Sequence, residues 1–447
     1  MGMNKANEEQ IGQAISDLVA EREPSDKNKE AVQKVVKTVG LIGRQVLAGA
    51  RVNASLFGSR KYGLATQTSD VDILLSVRVP SEDAEINHAK FFNRFAKRLR
   101  KTPGFHVLAT ITHARVPIVK FEFRSRADGC IQGDISLNAS MGMSKTSMLE
   151  SYISMDKRVK DVMSVVRAWS TARNITSSTS LNSYSLSLMV LAFLVSRRVV
   201  PPLQLTRTRQ FTRTGWQRLE EIQRNPDEIR NLYDYTISGG KGAELSCIQT
   251  NEPLPDWRVD GTRAYFLGTG HGETWESPNK HSSTTLLYEF FRYYGFDFDP
   301  MQHVVSLRLG SPEIPRMSLY ELQAPEPAMY MTLPTQWRQD LRLLAIEDPF
   351  EVEHNCARQV PGEWVEGFLW EMRRAAWSLL PGKSVGLQRL LANPTTDAFR
   401  DASVWASAYH RLFPVIQDLL GEQVFSKSEL AVPGKVVDLE ELEKIDE

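Results

Sequence analysis

The stretch Leu56-Phe57-Gly58-Ser59-Arg60-Lys61-Tyr62-Gly63-Leu64-Ala65-Thr66-Gln67-Thr68-Ser69-Asp70-Val71-Asp72-Ile73-Leu74-Leu75 decides how the rest of the chain is read. Val52 to Phe57 predicts a strand, Gly58-Ser59 a turn, and the apolar run that begins at Asp70 a second strand. Side chains alternate along a strand, so Asp70 and Asp72 are expected on one face, a few ångströms apart. Carboxylates that close repel each other unless a divalent cation lies between them. Upstream, Gly58 lets backbone approach a ligand, and Ser59 offers a hydroxyl and an N–H suited to a phosphate. Taken singly, Gly-Ser is a turn and Asp-x-Asp is solvated charge. The combination, with Asp70 eleven residues after Ser59, carries the signal.

A third acid follows in Cys130-Ile131-Gln132-Gly133-Asp134-Ile135-Ser136-Leu137-Asn138, which reads as a strand. An acid in the middle of a partly apolar strand needs a partner, and cations held by Asp70 and Asp72 would supply one.

These elements resemble the DNA polymerase β-type nucleotidyltransferase superfamily, whose signature is Gly-Ser followed by Asp-x-Asp. Val116 to Phe121 and the Asp134 region resemble its branch of template-independent poly(A) and poly(U) polymerases. The resemblance implies an α/β (α+β) catalytic nucleotidyltransferase domain with a mixed sheet, a mostly helical poly(A) polymerase-associated type domain facing it across a nucleotide cleft, and an inserted subdomain. It assigns Asp70, Asp72 and Asp134 to catalysis and to two Mg²⁺ ions, with Mn²⁺ as a substitute.

Composition sets the outer bounds. A chain of 447 residues accommodates two domains or a little more. Lys plus Arg and Asp plus Glu are each 54, so nucleic-acid contact has to come from local patches. Cys130, Cys247 and Cys356 show no disulfide or zinc spacing. No membrane span is expected, since Arg197 and Arg198 interrupt the longest apolar run, and the N-terminus does not read as a targeting peptide.

In order, residues 1–45 are expected to be N-terminal helices packing on the helical domain and 46–145 the catalytic domain. Within the latter, Glu85 to Lys101 reads as a basic amphipathic helix, more simply a solvated face than an RNA contact. Residues 146–204 and 284–425 form the expected helical nucleotide-recognition domain, opening with long helices over Thr146 to Arg173 and Leu181 to Arg198. The insertion 205–283 is too long for an unstructured loop. Its Arg207, Arg209 and Arg213, near Phe211 and Trp216, suit single-stranded RNA, with packing on the catalytic domain as the alternative. Residues 426–447 read as an acidic tail.

By resemblance, the triphosphate and ribose of UTP fall to Phe57, Gly58, Ser59, Lys145, Thr146, Arg167, Thr171 and Ser183, and Tyr184 stacks on the base. Lys145-Thr146 stands where the branch has Asn-Thr, and Arg167 and Thr171 stand where it has two lysines, so one charge is lost; Arg173 is a candidate to compensate. Leu344 to Arg358 resembles the base-recognition motif in its terminal uridylyltransferase form, with Asp348, Glu351 and His354 around the base. The implied reaction is untemplated transfer of UMP from UTP to a single-stranded RNA 3′ end. The nearest likeness is to kinetoplastid mitochondrial, editosome-associated enzymes, which implies an RNA-editing complex and the mitochondrion, with the cytoplasm as the alternative. A poly(A) polymerase and an inactive RNA-binding scaffold are the competing readings.

Overall fold

The computed structural model describes residues 5–47, 49–78, 86–114, 116–126, 129–138, 140–177, 180–204, 275–308, 310–315, 342–351, 354–379 and 386–392. The chain divides into two compact units, one of Val19–Ser154 and one of Met1–Leu18 with Met155–Glu447. Arg207, Arg209 and Arg213, with their expected RNA contact, most of the insertion and the expected acidic tail lie outside the described residues.

The first unit is built on a five-stranded mixed sheet. Its strands are β1 (Arg51–Phe57), β2 (Val71–Arg78), β3 (Phe105–Ile111), β4 (Ile118–Ser125) and β5 (Gly129–Leu137), in the spatial order β1-β2-β5-β4-β3. Only β2 and β5 run parallel among these neighbours. Val71, Ile73, Leu75, Val119, Phe121 and Ile135 alternate onto one face and are buried there. Two helices cover that face, α2 (Asp26–Val46) and α3 (His88–Leu99). The side chains of Ser25 and Asn87 cap them.

The packing of α2 corrects an expectation. Val32, Val35, Val39 and Ile42 recur on one stripe and bury against this sheet rather than on the helical unit. Of the N-terminal segment, Met1–Leu18 groups with the second unit, where the Glu8 carboxylate accepts hydrogen bonds from the Ser282 and Thr285 hydroxyls. Glu8 and Leu18 lie in helix α1 (Lys5–Arg22).

The long helix expected from Thr146 to Arg173 is two, α4 (Ser140–Met155) and α5 (Lys157–Ala172). Asp156 adopts extended backbone between them and accepts from the Arg158 N–H, so it caps a new helix instead of continuing the old one. The second unit continues with α6 (Ser183–Ser196) and α7 (Ser283–Arg292). After these come the small sheet of β6 (His303–Ser306), β7 (Ser311–Pro315) and β8 (Ala345–Ile346), then α8 (Gly362–Ser378) and α9 (Gly386–Leu390). Helix α6 is apolar on all sides and buried from Ser185 to Val195, so it forms the centre of this unit. Trp169 of α5 packs edge-on to Phe291 of α7 at 4.9 Å, and the Tyr294 hydroxyl donates to the Met189 carbonyl at 2.9 Å.

The last part of the insertion is tied to the chain just before it. Trp275 Nε1 donates to the Val199 carbonyl at 2.8 Å, Asn279 Nδ2 to the Arg197 carbonyl at 2.7 Å and Ser277 Oγ to the Arg198 carbonyl at 3.2 Å. No helix among the described residues is long and apolar enough to cross a membrane.

Candidate active site

The parallel pairing of β2 with β5 sets Asp72 directly opposite Asp134. Both point away from the face covered by α2 and α3, because Val71, Ile73 and Ile135 occupy that one. Asp70 lies just ahead of β2 and is exposed. It is close enough for its charge to act on Asp72. Burial, reinforced by the charges of Asp134 and Asp70 and only partly offset by Lys120 and Arg60, pushes the Asp72 carboxyl up to about 6.

Two glycines allow this arrangement. Gly58 has φ +67°, and a Cβ there would lie 2.3 Å from Asp72 Oδ2, so the backbone of the Gly-Ser turn rests against the carboxylate. At Gly133, next to Asp134, a Cβ would lie 2.1 Å from the Val71 carbonyl oxygen.

Two cations that the sequence reading left unassigned organise the site. Arg60, in the short turn Gly58–Arg60, donates to the carbonyls of Ser69 and Asp70 and, at 2.8 Å, to Asn28 Oδ1. It thereby fastens both ends of the connection from Gly58 to Asp70. Lys120 on β4 stands opposite Asp134 and pairs with its Oδ2 at 3.1 Å. The sequence signal for Lys120 was a lone base between Val119 and Phe121, on a strand that pairs with the one holding Asp134.

With Lys120 on Asp134, no three His, Cys, Asp or Glu side chains among the described residues form a ready metal cage. The donor set nevertheless suits a divalent cation. Two carboxylates share one register position, a third adds its charge, and their repulsion reinforces the burial that lifts Asp72.

The remaining candidates in this unit divide. Gly58, Ser59 and the partly buried Phe57 lie at the turn beside Asp72. Thr146 is 3% exposed, and its hydroxyl accepts the Gly58 N–H at 2.9 Å and donates to the Gly142 carbonyl at 2.8 Å. It therefore ties the turn to α4, which replaces the expected ribose contact with a positioning role. Lys145, its neighbour on α4, is partly buried.

In the second unit, Arg167 of α5 keeps a buried guanidinium nitrogen, Nη1, without a hydrogen-bond partner among the described residues, an arrangement suited to an anionic ligand. Thr171 is exposed, with its hydroxyl bonded back to the Arg167 carbonyl at 2.9 Å. Ser183 is exposed at the start of α6 and Tyr184 is partly buried beside it. Arg173 cannot compensate for the missing lysine. It is 2% exposed and pairs with Glu371 at 2.7 Å, and Glu371 also holds Arg374 at 2.9 Å.

The segment expected to recognise the base is drawn together by its own backbone at Asp348 and His354. The Asp348 N–H donates to the His354 carbonyl at 3.1 Å, and Asp348 Oδ1 accepts from the N–H groups of Phe350 at 3.0 Å and Glu351 at 3.1 Å. Asp348 is 0% exposed, so it shapes the loop from within instead of meeting the base. Glu351 and His354 are partly exposed on the same loop. Behind it, Glu347 is buried against Arg308 at 2.6 Å and the Ser306 hydroxyl, and Gln204 Nε2 donates to the Pro349 carbonyl at 2.8 Å.

Residues 11–154 match the family model described as poly(A) RNA polymerase, mitochondrial-like, central palm domain, and residues 284–354 match that of the Cid1 family poly A polymerases. The chain is 28% identical over 313 residues to human terminal uridylyltransferase 4, covering 68% of this chain and 15% of that protein. It is 26% identical over 342 residues to terminal uridylyltransferase cid1 of Schizosaccharomyces pombe, covering 75% and 70%. The MgGTP-bound structure of the Cid1 poly(U) polymerase superposes with a TM-score of 0.64 at 23% identity, over 86% of this chain and 99% of that one. The fold is thus the mixed α/β nucleotidyltransferase fold with a poly(A) polymerase-associated segment. The chain spans less than a fifth of the length of the larger relatives it matches.

Proposed function

We propose that this protein is a template-independent RNA 3′-terminal uridylyltransferase, transferring UMP from UTP to an RNA 3′-hydroxyl with release of pyrophosphate. The observation that carries the reading is the facing pair Asp72 and Asp134 with the Gly58 backbone against Asp72. Two Mg²⁺ ions held by Asp70, Asp72 and Asp134 would lower the pKa of the attacking hydroxyl and neutralise the triphosphate. The chain's own part is positional. Asp72 and Asp134 are fixed by strand register, Arg60 and Thr146 hold the Gly-Ser turn beside them, and Lys120 balances the charge of Asp134. Arg167 supplies positive charge for the phosphates. The preference for UTP rests on Glu351 and His354, the exposed members of the loop that Asp348 closes. The names of the human and fission-yeast relatives support it. Location in the mitochondrion and membership of an RNA-editing complex, the finer parts of the proposal, rest on the kinetoplastid likeness read from the sequence. Fractionation of tagged protein tests both.

The test of the activity is extension of a labelled single-stranded RNA with each nucleoside triphosphate in turn. UTP should be added in preference to the others, and Asp70→Ala, Asp72→Ala and Asp134→Ala should each abolish addition while leaving the melting temperature near that of the parent. Equal use of ATP and UTP overturns the uridylyl reading. Activity in any of the three variants overturns the site.

A further inference from the structure

From Ile86 to Phe121 the chain runs 36 residues without one Asp or Glu, while carrying eight Lys or Arg. At the chain's average of 54 acids in 447 residues, a stretch of that length holds about four. The protein is neutral as a whole, so this concentrates positive charge in one place.

The fold turns the run into a face. Phe91, Phe92, Phe95, Ala96 and Leu99 of α3 are buried against the sheet, and Lys90, Arg94, Lys97, Arg98, Arg100 and Lys101 lie on the side away from it. Positions 90, 94, 97 and 98 follow the helical repeat and make a single exposed stripe, about 12 Å long at the helical rise per residue, and the exposed Lys101 extends it in the turn just past the helix. None of the six forms an ion pair among the described residues, and only Arg98 has a side-chain partner, the neutral Gln45. The nearest acids in sequence, Glu82, Asp83 and Glu85, precede the helix and lie outside the described residues.

The location matters as much as the charge. Helix α3 covers the sheet face opposite to Asp72 and Asp134, and it lies against β3, the strand at the sheet's edge. The part of a ligand that lies on this stripe therefore cannot itself touch the carboxylates. A strand of nucleic acid whose end is at Asp134 and that runs round the β3 edge to the stripe passes β4 and β3, about 10 Å across, and then the depth of a packed layer, about 10 Å more.

We propose that α3 is a second RNA-binding surface, taking the phosphate backbone of the substrate several nucleotides upstream of its 3′ end. The stripe exposes no aromatic ring, so recognition is of phosphate and independent of sequence. The proposal rests on the RNA-substrate reading given above and deepens it.

The experiment is direct binding of the full chain to fluorescent single-stranded RNAs of about 4 and about 16 nucleotides, the range of known single-strand site sizes, over a salt series. The variant is Arg94→Gln, Lys97→Gln and Lys101→Gln together, all exposed and outside the catalytic machinery. For the longer RNA the slope of log affinity against log salt should become shallower by about 2, at about 0.7 for each phosphate no longer neutralised, and affinity at physiological salt should fall about tenfold or more. Affinity for the short RNA should not change. Unchanged binding of the longer RNA overturns the proposal and leaves the face to an acidic protein, and equal loss for both lengths overturns it too, by putting the contact at the 3′ end. Because binding is read without turnover, an unmutated protein that binds RNA but adds no nucleotide would sink the uridylyltransferase reading and leave this one standing.

Discussion

Gly58→Ala is expected to separate stability from activity. At φ +67° an alanine pays for left-handed backbone, about 1 to 2 kcal/mol. Its Cβ would also lie 2.3 Å from Asp72 Oδ2, and the next atoms, Cγ and Cβ, at 3.2 and 3.5 Å, leave the carboxylate as the part that has to give. Rotating it off its preferred torsion adds about 0.5 to 1.5 kcal/mol. A total of about 1.5 to 3.5 kcal/mol lowers the melting temperature of a unit this size by roughly 5 to 12 °C. The activity cost is of another order, because displacing a catalytic group by about 1 Å costs about 10²-fold. Gly63→Ala is the control. Gly63 has φ +82° in the same connection, and a Cβ there meets nothing within 4 Å. It should lose only the backbone part, about 1 to 2 kcal/mol, and keep nucleotide addition near the parent rate. Steady-state addition below the melting range, beside thermal melts of both variants, makes the comparison. Equal activity in the two variants would refute the claim that the Gly58 backbone holds the Asp72 carboxylate in place.

Three further outcomes follow from the same geometry. Asp348→Ala should remove the acceptor of two loop N–H groups, lower stability by about 1 to 3 kcal/mol and depress use of all four nucleotides together. Glu351→Ala or a smaller residue at position 354 should instead change the UTP to CTP or UTP to ATP ratio, and a selective effect at Asp348 would refute the division. Lys120→Gln should lower the Mg²⁺ concentration for half-maximal addition, since no ammonium then has to leave Asp134, and an unchanged titration would show that the 3.1 Å pair does not compete. Glu371→Gln should leave Arg173 and Arg374 buried without their counter-charge and cost about 3 to 5 kcal/mol in chemical denaturation. Burial alone would raise the Glu371 carboxyl, but Arg374 and Arg173 outweigh it and hold it below the usual range. Its stabilisation is therefore complete above the ordinary carboxylate pKa and fades as pH falls through the lowered one, a loss that Glu371→Gln should not show.

The five-stranded sheet was legible because its signals are local. Alternation carried through Val71 to Leu75 and Ile131 to Leu137, and each run bore its acid at a fixed place in the period. The break at Asp156 was written in the sequence as an N-cap residue, but the apolar pattern on either side runs through it and hid the cap. Long-range pairings left no trace to read. Arg173 meets Glu371 from 198 residues away, and a positive side chain near a phosphate-binding motif reads the same whether it faces a ligand or a buried carboxylate. Asp348 was misread for a related reason. A motif fixes which residues a loop contains, whereas the hydrogen bonds decide which of them face inward.

The bonds from Trp275, Ser277 and Asn279 to the carbonyls of Arg197 to Val199 bear on how such a chain can be lengthened. These partners all lie among the described residues on either side of 205–274, so they hold the two chain ends together at this point. The knot behaves as a socket: whatever is spliced between its two sides inherits the same two joined endpoints. New sequence could accumulate there, or be exchanged for another segment, while selection on the nucleotide site went on undisturbed.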